Sequence, residues 1–182
     1  MNIETSTYNQ PGAGIENIWK ILEAVSDPEI PVLSILDLGI VRNVTIKGDF
    51  FAKDDGYDVV TITITPTYSG CPAMDMITVN IRMALLEHGY KNIQIKTVLS
   101  PAWTTDWMTE SGKVKLAAYG IAPPAFKIAA CNSMESDDQM AIQCPHCKSY
   151  RTEMISRFGS TACKALFKCH DCSEPFDYFK CH

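Results

Sequence analysis

The sequence predicts an α/β (α+β) fold, with helices packed on a small three-stranded sheet, followed by a small cysteine-rich module. Three observations support this prediction. Helical and strand patterns alternate over the first 125 residues, all but one of the eight cysteines fall at or after position 131, and a polar stretch at 132–139 separates the two regions. We therefore predict an α/β domain over residues 1–130, a linker over 131–142 and a cysteine-rich module over 143–182.

The first half of the α/β domain has one helical pattern and two strand patterns. Apolar residues recur every three or four positions over 15–25, which predicts a helix with one apolar face. The two prolines within 27–31 end that helix. Apolar and polar residues then alternate over 40–47 and again over 60–64, as in half-buried strands, so we predict a hairpin.

The second half of the domain has two helical patterns and one strand pattern. A second apolar stripe predicts a helix over 72–89, which ends at Gly89. A third strand is predicted over 92–99 and a last helix over 104–119, which Gly120 and the following prolines end. The order helix, strand, strand, helix, strand, helix is typical of a small α/β sandwich.

Composition and charge exclude two classes of partner. The formal net charge is −5 and the pI is about 5.3, which disfavours a broad electrostatic contact with nucleic acid. No apolar run approaches the ~18 residues that cross a bilayer, and the first 14 residues lack the pattern of an export signal. We therefore expect no nucleic-acid or membrane partner and a cytoplasmic location, where cysteines stay reduced.

Two cysteine pairs, Cys144-Pro145-His146-Cys147 and Cys169-His170-Asp171-Cys172, give the strongest chemical signal. Two intervening residues allow the backbone to point both sulfurs at one ion, and two such turns supply the four thiolates that zinc prefers at ~2.3 Å. A module of roughly forty residues has too little core to fold without a metal. We predict one structural zinc bound by Cys144, Cys147, Cys169 and Cys172, with iron or metal-free dithiols as alternatives.

The residues around these pairs suit a zinc ribbon. Strand patterns at 149–153 and 164–168 predict a hairpin between the pairs, and the aromatic residues of 176–179 predict a third strand. Cys163 and Cys181 have no partner at short spacing, so we expect Cys163 to be a small buried side chain and Cys181 to lie in a frayed tail. The alternative is that either one replaces a zinc ligand.

Cys71 stands apart from the cysteine pairs, in a Gly-Cys-Pro turn that leads into the second predicted helix. We expect it at the helix N-cap, where backbone N–H groups and the helix dipole lower a thiol pKa. Thr67 and Ser69 place hydroxyls on the same turn, and Asp27 and Glu29 approach it if both loops lie at one end of the sheet. These five residues are our candidate thiol site; a buried cap thiol without chemistry is the alternative.

Three motifs in this region carry a resemblance to a known family. They are Asp27-Pro28-Glu29-Ile30-Pro31, Ile35-Leu36-Asp37-Leu38-Gly39-Ile40-Val41 and Thr65-Pro66-Thr67-Tyr68-Ser69-Gly70-Cys71-Pro72. Over roughly residues 12–125 the chain resembles the metal–sulfur cluster biosynthesis (SufT-like) family. The resemblance implies a role for Cys71 in the assembly or transfer of a transient iron–sulfur cluster.

A narrower resemblance covers the rest of the chain. The segments 103–107, 119–124, 157–165 and 176–182 are similar to the phenylacetate-degradation branch of that family, which carries the four-cysteine ribbon. This implies maturation of the multicomponent oxygenase that epoxidises phenylacetyl-CoA, with its reductase or oxygenase components as partners. Simple members of the family often lack the ribbon, so their biochemistry is not transferred to it.

Two functions remain open at this point. The chain is either an iron–sulfur maturation factor or a non-catalytic accessory subunit of the oxygenase, in which Cys71 is only structural; a homodimer is compatible with both. A standalone enzyme is the least supported, because the sequence has no evident acid/base pair, phosphate loop or cofactor fingerprint.

Overall fold

The computed structural model of the chain describes residues 11–47, 59–124 and 142–181. Its helices are α1 (Pro11–Glu23), α2 (Ala73–Glu87), a short 3-10 helix (Thr105–Trp107) and α3 (Glu110–Tyr119). Its strands are β1 (Val41–Lys47), β2 (Val59–Ile64), β3 (Asn92–Thr97), β4 (Ile121–Ala122), β5 (Thr152–Ser156), β6 (Lys164–Cys169) and β7 (Pro175–Phe179). Within these ranges no helix is long and apolar enough to cross a membrane.

The first sheet has the order β1-β2-β3. β1 and β2 are antiparallel, which confirms the predicted hairpin, and β2 is parallel to β3 with Ile62 opposite Ile95. A parallel pair needs a crossover connection, and α2 provides it. Side chains such as Ile18 of α1 and Ile77 of α2 are fully buried with Ile62 in one core. The predicted α/β fold class is confirmed.

The predicted helix over 104–119 is wrong in one respect, because it is broken in the middle. Met108 and Thr109 have extended backbones, which separates the 3-10 helix from α3. The Thr109 hydroxyl accepts a hydrogen bond from the backbone N–H of Gly112 at 2.9 Å and so caps α3. A threonine that satisfies an unpaired N–H group favours a new helix start over a continuous helix.

Hydrogen bonds to the Asp37 carboxylate connect the Thr109 cap to the loop that follows α1. The carboxylate accepts hydrogen bonds from the Ser34 backbone N–H at 3.0 Å and the Thr109 hydroxyl at 3.1 Å, and it pairs with Lys115 at 2.6 Å. Burial by itself raises the pKa of Asp37, but the hydrogen bonds from Lys115, Ser34 and Thr109 outweigh it and hold the pKa below its ordinary value. The carboxylate therefore stays charged while it joins the loop to α3.

The second sheet has the order β4-β7-β6-β5 and contains the ribbon. β5, β6 and β7 are antiparallel neighbours, which confirms the ribbon hairpin and its third strand. The first ribbon strand lies at Thr152–Ser156, three residues later than the predicted 149–153. β4 was not predicted, because two residues are too few to show alternation; it pairs in parallel with β7.

The ribbon packs against the α/β part of the chain. Phe179 and Cys163 belong to the core of the first sheet and its helices, whereas Ala122 belongs to the ribbon core. The Trp103 and Phe179 rings meet edge to face, with centroids 6.1 Å apart. The predicted linker, 131–142, falls almost wholly outside the described residues, so the division into 1–130 and 143–182 remains a proposal.

Candidate functional site

The four ribbon cysteines bring their sulfurs together between two tight turns. The Sγ atoms of Cys144, Cys147, Cys169 and Cys172 all lie within 4.8 Å of one another. Cys144 and Cys172 are 3.8 Å apart and Cys147 and Cys169 are 3.5 Å apart. Tetrahedral ligands at ~2.3 Å from one ion are about 3.8 Å apart, so this donor set fits a four-coordinate metal. With four sulfurs bound, such an ion supplies structure and has no position for a substrate.

The two turns share one backbone device. Lys148 follows the first cysteine pair with φ of 65°, and Ser173 follows the second with φ of 64°. This left-handed conformation curls each turn back, so that the Cys144 N–H donates to the Ser149 carbonyl at 2.8 Å and the Cys169 N–H donates to the Glu174 carbonyl at 3.0 Å. The spacing of two residues between cysteines therefore produces two matching ligand turns.

The pKa values of the Cys169 and Cys172 thiols are shifted in opposite directions. Backbone N–H donors, first that of Cys172 and then that of Asp171, hold the pKa of Cys169 at about 7. The N–H of Glu174 lowers the pKa of Cys172, but burial and the three neighbouring thiols outweigh it and raise that pKa to about 12. A metal ion replaces these protons when it binds, which makes its affinity depend on pH.

Cys71 lies one residue further from α2 than predicted. The N-cap position of α2 is Pro72, and Cys71 precedes it in a turn in which its N–H donates to the Tyr68 carbonyl at 3.2 Å. Gly70 has φ of 91°, which gives the chain its sharp bend before the helix. The helix boundary at Pro72 shifts the N-cap by one residue from the prediction, although the helical dihedrals of Pro72 suit a first helical position, so Cys71 directly precedes the first turn of α2.

The predicted low pKa of Cys71 was also wrong. Burial raises the pKa of the Cys71 thiol above its ordinary value of 9.0. The Ala73 N–H and the Thr67 hydroxyl favour the thiolate, but the negative charges of Glu29 and Asp27 add to the effect of burial. The sequence indicated the helix start but not the burial of the Cys71 thiol. Because burial holds the pKa of this thiol above 9.0, the side chain is protonated at neutral pH.

The remaining candidate residues are placed unequally around this thiol. Asp27 is buried and its Oδ1 accepts hydrogen bonds from the N–H groups of Glu29 and Ile30, both at 2.8 Å, and burial raises its pKa. Thr67 is hydrogen-bonded to Cys71, and the carboxylates of Asp27 and Glu29 lie close enough to act on its charge. Ser69 is exposed on the same turn. The structure therefore gathers Asp27, Glu29 and Thr67 around Cys71.

Three residues of the ribbon also lie near Glu29 and Asp27, although the sequence did not indicate it. The Cys163 Sγ lies 4.0 Å from the Glu29 Oε2, and the Thr161 hydroxyl is hydrogen-bonded to Cys163 at 3.0 Å and also to Glu29. The Lys164 amine is buried 3.8 Å from Asp177, and its charge favours the ionised forms of Asp27 and Glu29. No local pattern connects residues 134 positions apart.

Tyr68 links the two sides of this cluster. Burial raises the pKa of its phenol to about 12, and the charges of Cys71, Glu29 and Cys163 add to that effect. The phenol is hydrogen-bonded to Cys71. A neutral O–H donor therefore lies beside the Cys71 thiol, where it can stabilise a thiolate once one forms.

Comparisons with known proteins match two separate parts of the chain. Residues 15–95 match the family described as "Iron-sulfur cluster assembly protein", and residues 129–180 match the "PaaD zinc beta ribbon domain". Cys71 falls in the first match, and Cys163 and the four ribbon cysteines fall in the second.

Curated relatives and solved structures agree with these matches. Over 167 residues the chain is 47% identical to a protein of Escherichia coli K12 that is provisionally named as one of the subunits of 1,2-phenylacetyl-CoA epoxidase, covering 92% of this chain and 93% of that one. It is 37% identical to "Fe-S protein maturation auxiliary factor" of Porphyromonas gingivalis W83, covering 56% and 89%. A "Domain of Unknown Function DUF59" crystal structure from Bacillus anthracis has a TM-score of 0.50 at 29% identity, covering 58% and 93%.

Proposed function

Since the chain belongs to the iron–sulfur cluster assembly family, in the branch with the PaaD zinc ribbon, we propose that it is a maturation factor for phenylacetyl-CoA epoxidase. It assembles or delivers an iron–sulfur centre for that oxygenase, on its reductase or oxygenase component, during aerobic phenylacetate catabolism. Relatives named as Fe–S protein maturation auxiliary factors and a relative named as part of the epoxidase support both halves of this proposal.

The main support for the proposal is that Cys71 is surrounded by side chains of the kinds that bind iron or stabilise a thiolate. In addition to burial, the negative charges of Glu29 and Asp27 raise the pKa of Cys71. The hydroxyls of Thr67 and Tyr68 are hydrogen-bonded to its sulfur. Iron–sulfur clusters are usually held by four protein ligands. A site with few thiols of its own takes the missing ligands from a second copy of the chain or from the client, and such a cluster is easily passed on.

The ribbon has a separate role in this proposal. We assign zinc to Cys144, Cys147, Cys169 and Cys172, because four thiolates with tetrahedral spacing form the closed set of a structural zinc site. Its outer face is then available for docking the client. The cargo passes through the Cys71 site, and the zinc stays in place.

The test is iron and acid-labile sulfide analysis of anaerobically purified protein before and after reconstitution with ferrous iron and sulfide. Wild type is compared with Cys71→Ser, which changes one atom. We expect reconstituted wild type to carry iron and sulfide in addition to one zinc, and Cys71→Ser to keep the zinc and lose the iron. Equal iron and sulfide in both proteins would contradict the role of Cys71.

A second candidate function has its own support. The protonated state of Cys71 at neutral pH and the similarity to a named epoxidase component over nearly the whole chain favour an accessory subunit or adaptor that transfers no metal. In that case the chain co-purifies stably with the oxygenase, and Cys71→Ser changes neither the co-purification nor the iron content of the reductase. The two functions therefore predict opposite results for one variant.

A further inference from the structure

We infer that a second copy of this chain packs on the outer face of α2, with the two α2 helices side by side and parallel. The outer face consists of the exposed apolar side chains Met76, Val79, Met83 and Leu86. Parallel pairing places the Cys71 turns of both copies at the same end of the dimer. The use of that second thiol rests on the proposed function, whereas the pairing itself does not.

The first support is that α2 is apolar on two opposite faces. Its buried row packs in the core of the first sheet and consists of Ala73, Ile77, Ile81 and Leu85. The outer face lies on the opposite side of the helix, and its four side chains are 45–52% exposed. A helix that is apolar all round is typical of a buried position, and a row of exposed apolar side chains marks an interaction surface. We therefore expect another protein surface to cover the outer face.

The second support is the spacing of the outer face, which favours another helix as its occupant. Successive apolar residues are three, four and three positions apart, which is the spacing with which two α-helices pack along one seam. A two-fold axis lets the same face of a second copy complete such a seam. The 15 residues of α2 span about two heptads, so the seam lies at the small end of protein interfaces. We expect a dimer of micromolar affinity.

The third support is charge complementarity in the parallel arrangement. In a parallel pair, the residue just before an a position of one helix lies beside the partner's residue five positions later. Arg82 precedes Met83 and therefore meets the partner's Glu87, and the two-fold axis repeats this ion pair on the other side of the seam. Both charged side chains are exposed. Arg82 donates one N–H to the Ile93 carbonyl at 3.2 Å and has further donors for a carboxylate.

The antiparallel arrangement places like charges together. If Met76 lies opposite the partner's Leu86, the two Arg82 side chains meet near the two-fold axis, where their repulsion weakens the pair. The charges therefore favour the parallel arrangement. It brings the N-terminal ends of both α2 helices together, with the Cys71 turn that precedes each of them. A client that approaches this end of the dimer meets two thiols.

The experiment measures self-association of the full zinc-loaded chain by sedimentation equilibrium, under reducing conditions and without iron. Wild type is compared with Val79→Lys, which puts a charge in the seam, and with Val114→Lys as the matched control. Val114 is 69% exposed on α3, so the same substitution is made there on a different helix. Arg82→Glu, Glu87→Arg and the double variant test the direction of pairing. Circular dichroism checks each fold, and if Val79→Lys unfolds, the charge reversals decide.

We expect wild type to dimerise, Val79→Lys to weaken the dimer by at least about tenfold, and Val114→Lys to behave as wild type. Each single charge reversal should weaken the dimer by about fivefold, and the double variant should recover the wild-type affinity. A double variant that is no tighter than the single variants would overturn the parallel arrangement.

The remaining outcomes separate this inference from the proposed function. A monomeric wild type, or a dimer that Val79→Lys leaves unchanged, would overturn the inference; the outer face then has another occupant, such as a component of the oxygenase. The proposed function would stand in that case, because it is judged by the iron and sulfide content of the reconstituted protein. If wild type dimerises through α2 but takes up no iron on reconstitution, the pairing stands and the proposed function fails.

Discussion

The Cys163 Sγ lies 4.0 Å from the Glu29 Oε2, although 134 positions separate the two residues in the chain. Glu29 belongs to the loop after α1, and Cys163 belongs to the residues that precede β6. The contact joins a carboxylate and a thiol from two modules that the sequence presents as separate. Residues of both modules therefore contribute to the surroundings of Cys71 and Tyr68.

Removal of one ribbon ligand should release the ribbon metal. Cys147→Ser is the most useful variant, because Cys147 is exposed and its loss disturbs little packing. We expect zinc to fall from about one ion per chain to a small fraction of that, and the ribbon to become sensitive to protease. His146→Ala, between the same two cysteines, is the control and should keep its zinc. A metal-free Cys147→Ser chain with a protease-resistant ribbon would show that the metal is not needed for folding.

Loss of the Phe179 ring should destabilise the whole described fold. Phe179 is 1% exposed and packs edge to face on Trp103, so Phe179→Ala leaves a cavity between the modules. We expect the free energy of unfolding in urea to fall by about 3–5 kcal/mol, together with a red shift of tryptophan fluorescence. Phe158→Ala is the control, since Phe158 is 68% exposed and its loss should cost under about 1 kcal/mol. Equal effects of the two variants would argue against the packing of the modules.

Alkylation of Cys71 should depend on pH in a specific way. Because the folded thiol has a pKa above its ordinary value of 9.0, its reaction with iodoacetamide should reach half its maximal rate above pH 9.0. Glu29→Gln removes a negative charge that raises this pKa, so the profile should move to lower pH. Peptide mass spectrometry follows the labelled residue. A wild-type midpoint below that of free cysteine would restore the helix-dipole prediction.

Stability should fall in acid partly because of Asp37. The folded-state pKa of Asp37 is lowered, so its stabilising effect is present above the unfolded value of ~3.9 and disappears as the pH falls through the folded value. We expect Asp37→Asn to lower the free energy of unfolding at pH 7 by about 1–3 kcal/mol, chiefly through weakened hydrogen bonds to a buried carboxylate. The difference between variant and wild type should shrink below about pH 4. A constant difference from pH 7 to pH 3 would contradict this assignment.

The functional proposal has a cellular test. Cells whose own copy is replaced by Cys71→Ser should grow slowly on phenylacetate under iron limitation, and their epoxidase reductase should contain less iron. Growth on another carbon source is the control, because it does not need the oxygenase. If the variant matches wild type in growth and in reductase iron, the accessory-subunit function replaces the maturation function.

Local signals in the sequence predicted most of the elements and the clustering of the four ribbon cysteines. The hairpin follows from alternation within each strand, and the four-cysteine cluster follows from the spacing of each cysteine pair. Contacts between distant residues have no such signal. β4 is too short for a pattern, and the meeting of Cys163 with Glu29 depends on how two folded modules pack. The prediction of a low pKa for Cys71 was wrong for the same reason, because the burial of a side chain depends on tertiary packing.

The pairing of β4 with β7 has a consequence for the order in which the chain folds during synthesis. Ile121 leaves the ribosome 56 residues before its partner Asp177. At ~5–20 residues per second, roughly 3–11 s pass before β7 can cover the side of the α/β part that carries Trp103. During that interval the first module has an unpaired strand and an uncovered indole. The contact between Cys163 and Glu29, like the pairing of β4 with β7, therefore forms after the first module has left the ribosome.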